Sequence, residues 1–158
     1  MEFAGIAHIT LTVANFEACE PFYDRVMRHL GMRRYISAPP YGIGWSAGEF
    51  MFVIGKAAPD GDRFSQARVG LHHLSFRAQS RAEIDAFDAM LREIGAKITS
   101  PAGTGPFWPG YYSVVCEDPD GTRIEMNHIP AEGWKAVAEV ADAIEKTGID
   151  PRFGKKRQ

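Results

Sequence analysis

The chain repeats itself. Gly5-Ile6-Ala7-His8-Ile9-Thr10-Leu11 returns as Gly70-Leu71-His72-His73-Leu74-Ser75-Phe76, which sets His8 and His73 in register 65 positions apart (73 − 8). Phe22 and Phe87 keep the same offset (87 − 22), so the correspondence runs on into the segment that follows each strand-like start. A chain built this way folds as two like modules. One imidazole at the same point of each copy suggests a site made between them.

Within the first copy, residues 6–13 alternate: Ile9, Leu11 and Val13 are apolar, whereas His8, Thr10 and Thr12 are polar. A period of two predicts a strand with one face on a core and His8 on the other face. Asn15 can cap a helix over 16–30 whose stripe is Ala18, Phe22, Val26 and Leu30, with Gly31 ending it. Strand-like pieces follow at 33–37, 42–46 and 50–54. The second copy has Leu74 and Phe76 on the core face. Ser80-Arg81-Ala82-Glu83 forms a capping box, and a helix carrying Ile84, Phe87, Leu91 and Ile94 stops at Gly95. Strands at 97–100, 112–116 and 123–128 complete it, the last entered through the turn Asp118-Pro119-Asp120-Gly121.

The expected fold is therefore α+β: two tandem βαβββ modules forming a cleft-lined mixed sheet, plus a C-terminal helix. The first copy spans 4–56, a polar turn-rich linker 57–69, and the second copy 70–130. Residues 131–158 form an amphipathic helix (Trp134, Val137, Ala141, Ile144) and a basic tail.

At 158 residues and 45% hydrophobic composition, there is material for one sizeable core. A formal charge of −2 gives no reason to expect nucleic acid or an anionic membrane surface, and the basic tail lacks interleaved aromatics. No apolar run approaches the roughly 18 residues of a membrane span. Cys19 and Cys116 have no paired spacing, and no signal-like segment opens the chain, so a cytoplasmic protein with reduced thiols is expected.

The polar-face residues carry the chemistry. His8, His73 and, on the last strand, Glu125 make two imidazoles and one carboxylate, a common set for a divalent ion that leaves positions open for water and substrate. A lone strand histidine is more often a packed core residue. The repeat argues otherwise here, because two histidines fall in equivalent places with an acid on a strand of matching role. His72 has the opposite parity to His73 and is the less suitable ligand. Iron, manganese, zinc, nickel and cobalt all suit such a site. The insertion 104–112 places Phe107, Trp108, Tyr111 and Tyr112 among glycines and prolines. It forms either a pocket wall, together with Tyr41 and Trp45, or packing over a sheet edge. Arg123 and Phe52 are further substrate-binding positions, and Glu49 joins Glu125 as a carboxylate available for catalysis.

The paired modules, the His-[IL]-[TS]-[LF] starts and the ending Asp118-Pro119-Asp120-Gly121-Thr122-Arg123-Ile124-Glu125 resemble the vicinal oxygen chelate superfamily over roughly residues 4–130. That superfamily includes glyoxalase I, extradiol dioxygenases, fosfomycin-resistance thiol transferases and bleomycin-resistance proteins. The resemblance implies a metal-dependent lyase, isomerase or dioxygenase acting on a small substrate with vicinal oxygens, usually as a homodimer. It also implies a fourth ligand near Phe52 or Val53, neither of which can bind a metal. Glu49 lies three or four residues away, roughly 10–13 Å along a strand. The alternative within the same resemblance is a metal-free protein that sequesters a drug or metabolite.

Overall fold

A computed structural model describes residues 2–38, 42–59 and 64–156. The expected element order is present: β1 (His8–Val13), α1 (Phe16–His29), β2 (Arg33–Ala38), β3 (Gly42–Ala47), β4 (Phe50–Lys56), then β5 (Leu74–Arg77), α2 (Arg81–Glu93), β6 (Lys97–Thr104), β7 (Tyr112–Glu117) and β8 (Arg123–His128). α3 (Ala131–Thr147) follows, with a short hairpin, β9 (Ile149–Asp150) and β10 (Lys155–Lys156), that the sequence did not announce. Two four-stranded mixed sheets result, ordered β1-β4-β3-β2 and β5-β8-β7-β6. In each, the first and last strands of a module pair in parallel, with the first strand at the edge of the sheet. Among the described residues no helix is long and apolar enough to cross a membrane.

The chain divides into two compact units. The first takes residues 1–73 with 117–123, the second 74–116 with 124–158. The β7–β8 turn thus belongs with the first module, although its sequence lies inside the second.

In the first unit, parity decides which face is core. Val13 on β1, Ile43 and Trp45 on β3, and Phe52 and Ile54 on β4 are buried on the side that α1 covers. α1 answers with Cys19, Tyr23, Val26 and Met27. Its buried stripe is turned from the expected one: Ala18 and Leu30 sit at its half-buried edges. The Tyr23 ring packs 5.2 Å from the Phe52 ring. Trp45 is fully buried and donates its indole N–H to Asp24 at 2.9 Å, while Arg34 bonds both Asp24 and Glu20. Burial pushes the Asp24 carboxyl up, but the bonds from Trp45, Arg28 and Arg34 outweigh it and hold the group below its usual value.

The second unit repeats the scheme. Ile84, Phe87 and Leu91 of α2 meet the sheet, whose Val114, Cys116, Ile124 and Met126 are buried. Ser80 caps α2 by accepting from the Glu83 amide at 3.3 Å. The Glu83 carboxylate reaches one residue further back than a standard capping box, to the Gln79 amide at 2.8 Å. In α3, Val137, Val140 and Ile144 are half-buried, whereas Trp134 and Ala141 are exposed. Cys19 and Cys116 are both buried.

Candidate functional site

The face of each sheet that carries no helix holds the residues singled out above. On β1, His8, Thr10 and Thr12 are exposed. Parallel pairing sets His8 beside Met51 and Thr10 beside Val53. In the second unit the same ladder sets Ser75 beside Glu125 and Arg77 beside Asn127. Since Thr10 and Ser75 are repeat equivalents (75 − 10 = 65), Glu125 and Val53 occupy equivalent positions. The fourth ligand position of the resemblance is therefore Val53, and a valine closes it. Phe52, one residue away, has core parity and lies fully buried against Tyr23.

His73 is exposed and sits one residue ahead of β5. Its Nδ1 lies 2.8 Å from Nδ1 of His72, with the rings nearly perpendicular, so one of the two nitrogens must carry the proton. Glu49 is exposed in the β3–β4 turn and lines a pocket of about 360 Å³ with Gly5, Ile6, Ala7 and Phe50. Arg123 leans on Glu117, Nε to Oε1 at 3.4 Å.

Glu125 is 7% exposed and accepts a hydrogen bond from the Tyr111 phenol, which is itself 6% exposed. Burial, and then the bond to Glu125, pushes the Tyr111 hydroxyl up to about 12, so it remains a donor at neutral pH. Ser113 and Asn127 oppose this rise. Asn127 donates Nδ2 to Ser75 Oγ at 2.7 Å. The second unit thus carries two hydrogen-bonded polar pairs, Glu125–Tyr111 and Asn127–Ser75. Their strand-spacing signal was in the sequence, since Asn127 and Ser75 share parity with Glu125. The link to Tyr111 depends on a loop that no periodicity reveals.

The aromatic insertion does not act as one surface. Phe107 is exposed and meets Tyr111 edge-on, ring centres 5.3 Å apart. Trp108 lies under the Arg152 guanidinium at 4.6 Å. Tyr112 turns the other way, donating to Asp85 at 2.8 Å with Arg81 over its ring. Of the two aromatics expected to join this wall, Trp45 lies in the α1-side core and Tyr41 lies outside the described residues.

Two neutral imidazoles and a carboxylate shielded from water are chemically a good donor set for a divalent ion. Both histidines belong to the first unit and Glu125 to the second. Among the described residues, no three His, Cys, Asp or Glu side chains gather closely enough to hold a metal.

Comparison with known proteins gives a consistent picture. The profile of the Glyoxalase/Bleomycin resistance protein/Dioxygenase superfamily matches residues 5–126. The uncharacterized protein YqjT of Bacillus subtilis (strain 168) is 32% identical over 125 residues, covering 75% of this chain and 94% of its own. A Bacillus halodurans protein crystallised as a candidate glyoxalase is 28% identical with a TM-score of 0.71, over 80% of this chain and 96% of that one. Lactoylglutathione lyase from Agrobacterium tumefaciens, at 19% identity and a TM-score of 0.61 over 81% and 96%, shares the fold. With its duplicated βαβββ plan and its Asp-Pro-Asp-Gly turn leading into a glutamate strand, the chain belongs to the Glyoxalase/Bleomycin resistance protein/Dioxygenase superfamily.

Proposed function

We propose that the protein is a metal-dependent enzyme of glyoxalase or dioxygenase type acting on a small substrate with adjacent oxygens, with His8, His73 and Glu125 as the ligands of a divalent ion. Glu125 carries the proposal. The other buried carboxylates among the described residues serve folding: Asp88 takes Arg92 at 2.6 Å and the Ala102 amide at 3.3 Å, and Asp118 takes two turn amides and a phenol. Glu125 instead lies on the helix-free face, at the strand position for which the family resemblance implies an acidic ligand. A buried carboxylate costs stability unless a partner or a function keeps it.

A divalent ion, when bound, supplies Lewis-acid polarisation of the two substrate oxygens. His8 and His73 offer neutral imidazole lone pairs, and Glu125 supplies the one negative charge. Exposed Phe107, edge-on to Tyr111, offers a substrate an apolar contact. Glu49 is the exposed carboxylate at the His8 end of its sheet and the choice for moving a substrate proton. A homodimer is the expected assembly, with exposed Trp134 of α3 available for the contact.

Elemental analysis of protein purified without chelator tests the reading. We expect about one divalent metal per chain, largely lost in Glu125→Ala. Metal absent from both, with small-molecule binding retained, would replace it with sequestration of the bleomycin-resistance kind.

A further inference from the structure

We infer that Tyr111 is a positioning residue for Glu125: its phenol fixes the carboxylate in the orientation used to hold a divalent ion. The inference rests on Glu125 being a ligand, as proposed above, and adds a residue whose task is to aim it.

The geometry is specific. Tyr111 and Glu125 are both buried, and the phenol donates to Oε1. The ring cannot wander. The Tyr111 amide donates to the Trp108 carbonyl at 3.0 Å and its carbonyl accepts from the Gly105 amide at 3.1 Å, which closes the loop into a tight clasp. Phe107 packs on the ring edge. The ring also presses against Gly105, where a Cβ would stand 2.6 Å from Cδ1 and 3.0 Å from Cε1 of Tyr111. Only a residue without a side chain lets the ring come this close.

A carboxylate can rotate about its last bond, and that freedom weakens binding by the entropy of freezing it. Hydrogen bonds to a metal ligand from a fixed neighbour remove this cost, and their loss typically weakens affinity by about 10–100-fold. Tyr112, next in sequence, has its phenol on Asp85 instead and provides an internal control.

The experiment is titration of the metal-stripped protein with Co²⁺, read by heat and by the ligand-field absorption of the bound ion. Tyr111→Phe should weaken Co²⁺ binding about 10–100-fold and alter the absorption bands, with the unfolding midpoint measured in parallel. Gly105→Ala, which keeps the hydroxyl but displaces the ring, should shift affinity the same way. Tyr112→Phe should leave both readouts unchanged. If Glu125→Ala loses Co²⁺ while Tyr111→Phe binds within about twofold and keeps the wild-type spectrum, the positioning role is wrong and the metal reading stands. If Glu125→Ala binds Co²⁺ like the wild type, both fall.

Discussion

The Tyr23 hydroxyl donates to Asp118 at 2.8 Å, joining residues 95 positions apart. Asp118 also accepts from the amides of Asp120 at 2.9 Å and Thr122 at 2.8 Å. The carboxylate of Asp120 takes the amides of Ala14 and Asn15 at the start of α1. The Asp-Pro-Asp-Gly turn is therefore a clasp on the first module's helix as well as the approach to Glu125. It explains why the turn belongs with the first unit.

Tyr23→Phe leaves one buried carboxylate oxygen without that donor while the ring keeps its packing. The expected loss is about 1–2 kcal/mol, the scale of one buried hydrogen bond to a charged group. Urea unfolding monitored by circular dichroism measures it. A loss indistinguishable from zero would mean that water replaces the phenol at no cost.

Burial, opposed by the Tyr23 bond and the two turn amides, holds the Asp118 carboxyl above its ordinary value of 3.8. An acid with a raised folded-state value binds its proton more tightly folded than unfolded. Its charge therefore takes stability away as pH rises from 3.8 through the raised value. Asp118→Asn has no such proton to lose. The wild type should thus lose stability relative to Asp118→Asn as pH rises from about 4 to 7, whatever constant offset the substitution brings. Melting temperatures of both proteins across that range give the slope, and a slope of opposite sign would refute it.

The modules and their helices were legible because they depend on short-range period and on an internal repeat. His8, Thr10 and Thr12 alternate against Ile9, Leu11 and Val13, and the structure keeps that division. What the sequence could not convey depends on loops and long-range closure. Nothing local says that residues 117–123 join the first unit, or that four neighbouring aromatics diverge to Glu125, Arg152 and Asp85. The choice between Phe52 and Val53 needed the β1–β4 register, since a one-residue slip moves every side chain to the other face.

Gly133 is buried in the first turn of α3 because the helix crosses the aromatic loop at backbone distance. A Cβ there would stand 2.7 Å from the Pro109 carbonyl and 2.6 Å from Cγ2 of Ile129. Backbone cannot step aside as a flexible side chain can. Gly133→Ala should cost about 1–3 kcal/mol, although alanine is the better helix former. Chemical denaturation measures it, and a stabilised variant would show that α3 shifts freely.

Val53 stands where the repeat puts Glu125, which makes it the position at which a fourth ligand can be restored. In the absence of metal, Val53→Glu should lower the melting temperature, because Val53 is half-buried and the new carboxylate has to shed water there. Adding Co²⁺ should then raise the melting temperature of the variant more than that of the wild type, since an ion bound only by the folded state stabilises it in proportion to its affinity. A gain of about tenfold in Co²⁺ affinity, equivalent to about 1.4 kcal/mol, is expected if the new oxygen joins His8, His73 and Glu125. Equal affinity in the two proteins would place the ion away from β4. Combining the change with Glu125→Ala separates the remaining cases: if the new glutamate shares the ion, the double variant should hold Co²⁺ better than Glu125→Ala alone, and a double variant no better than Glu125→Ala would exclude Val53 from the site.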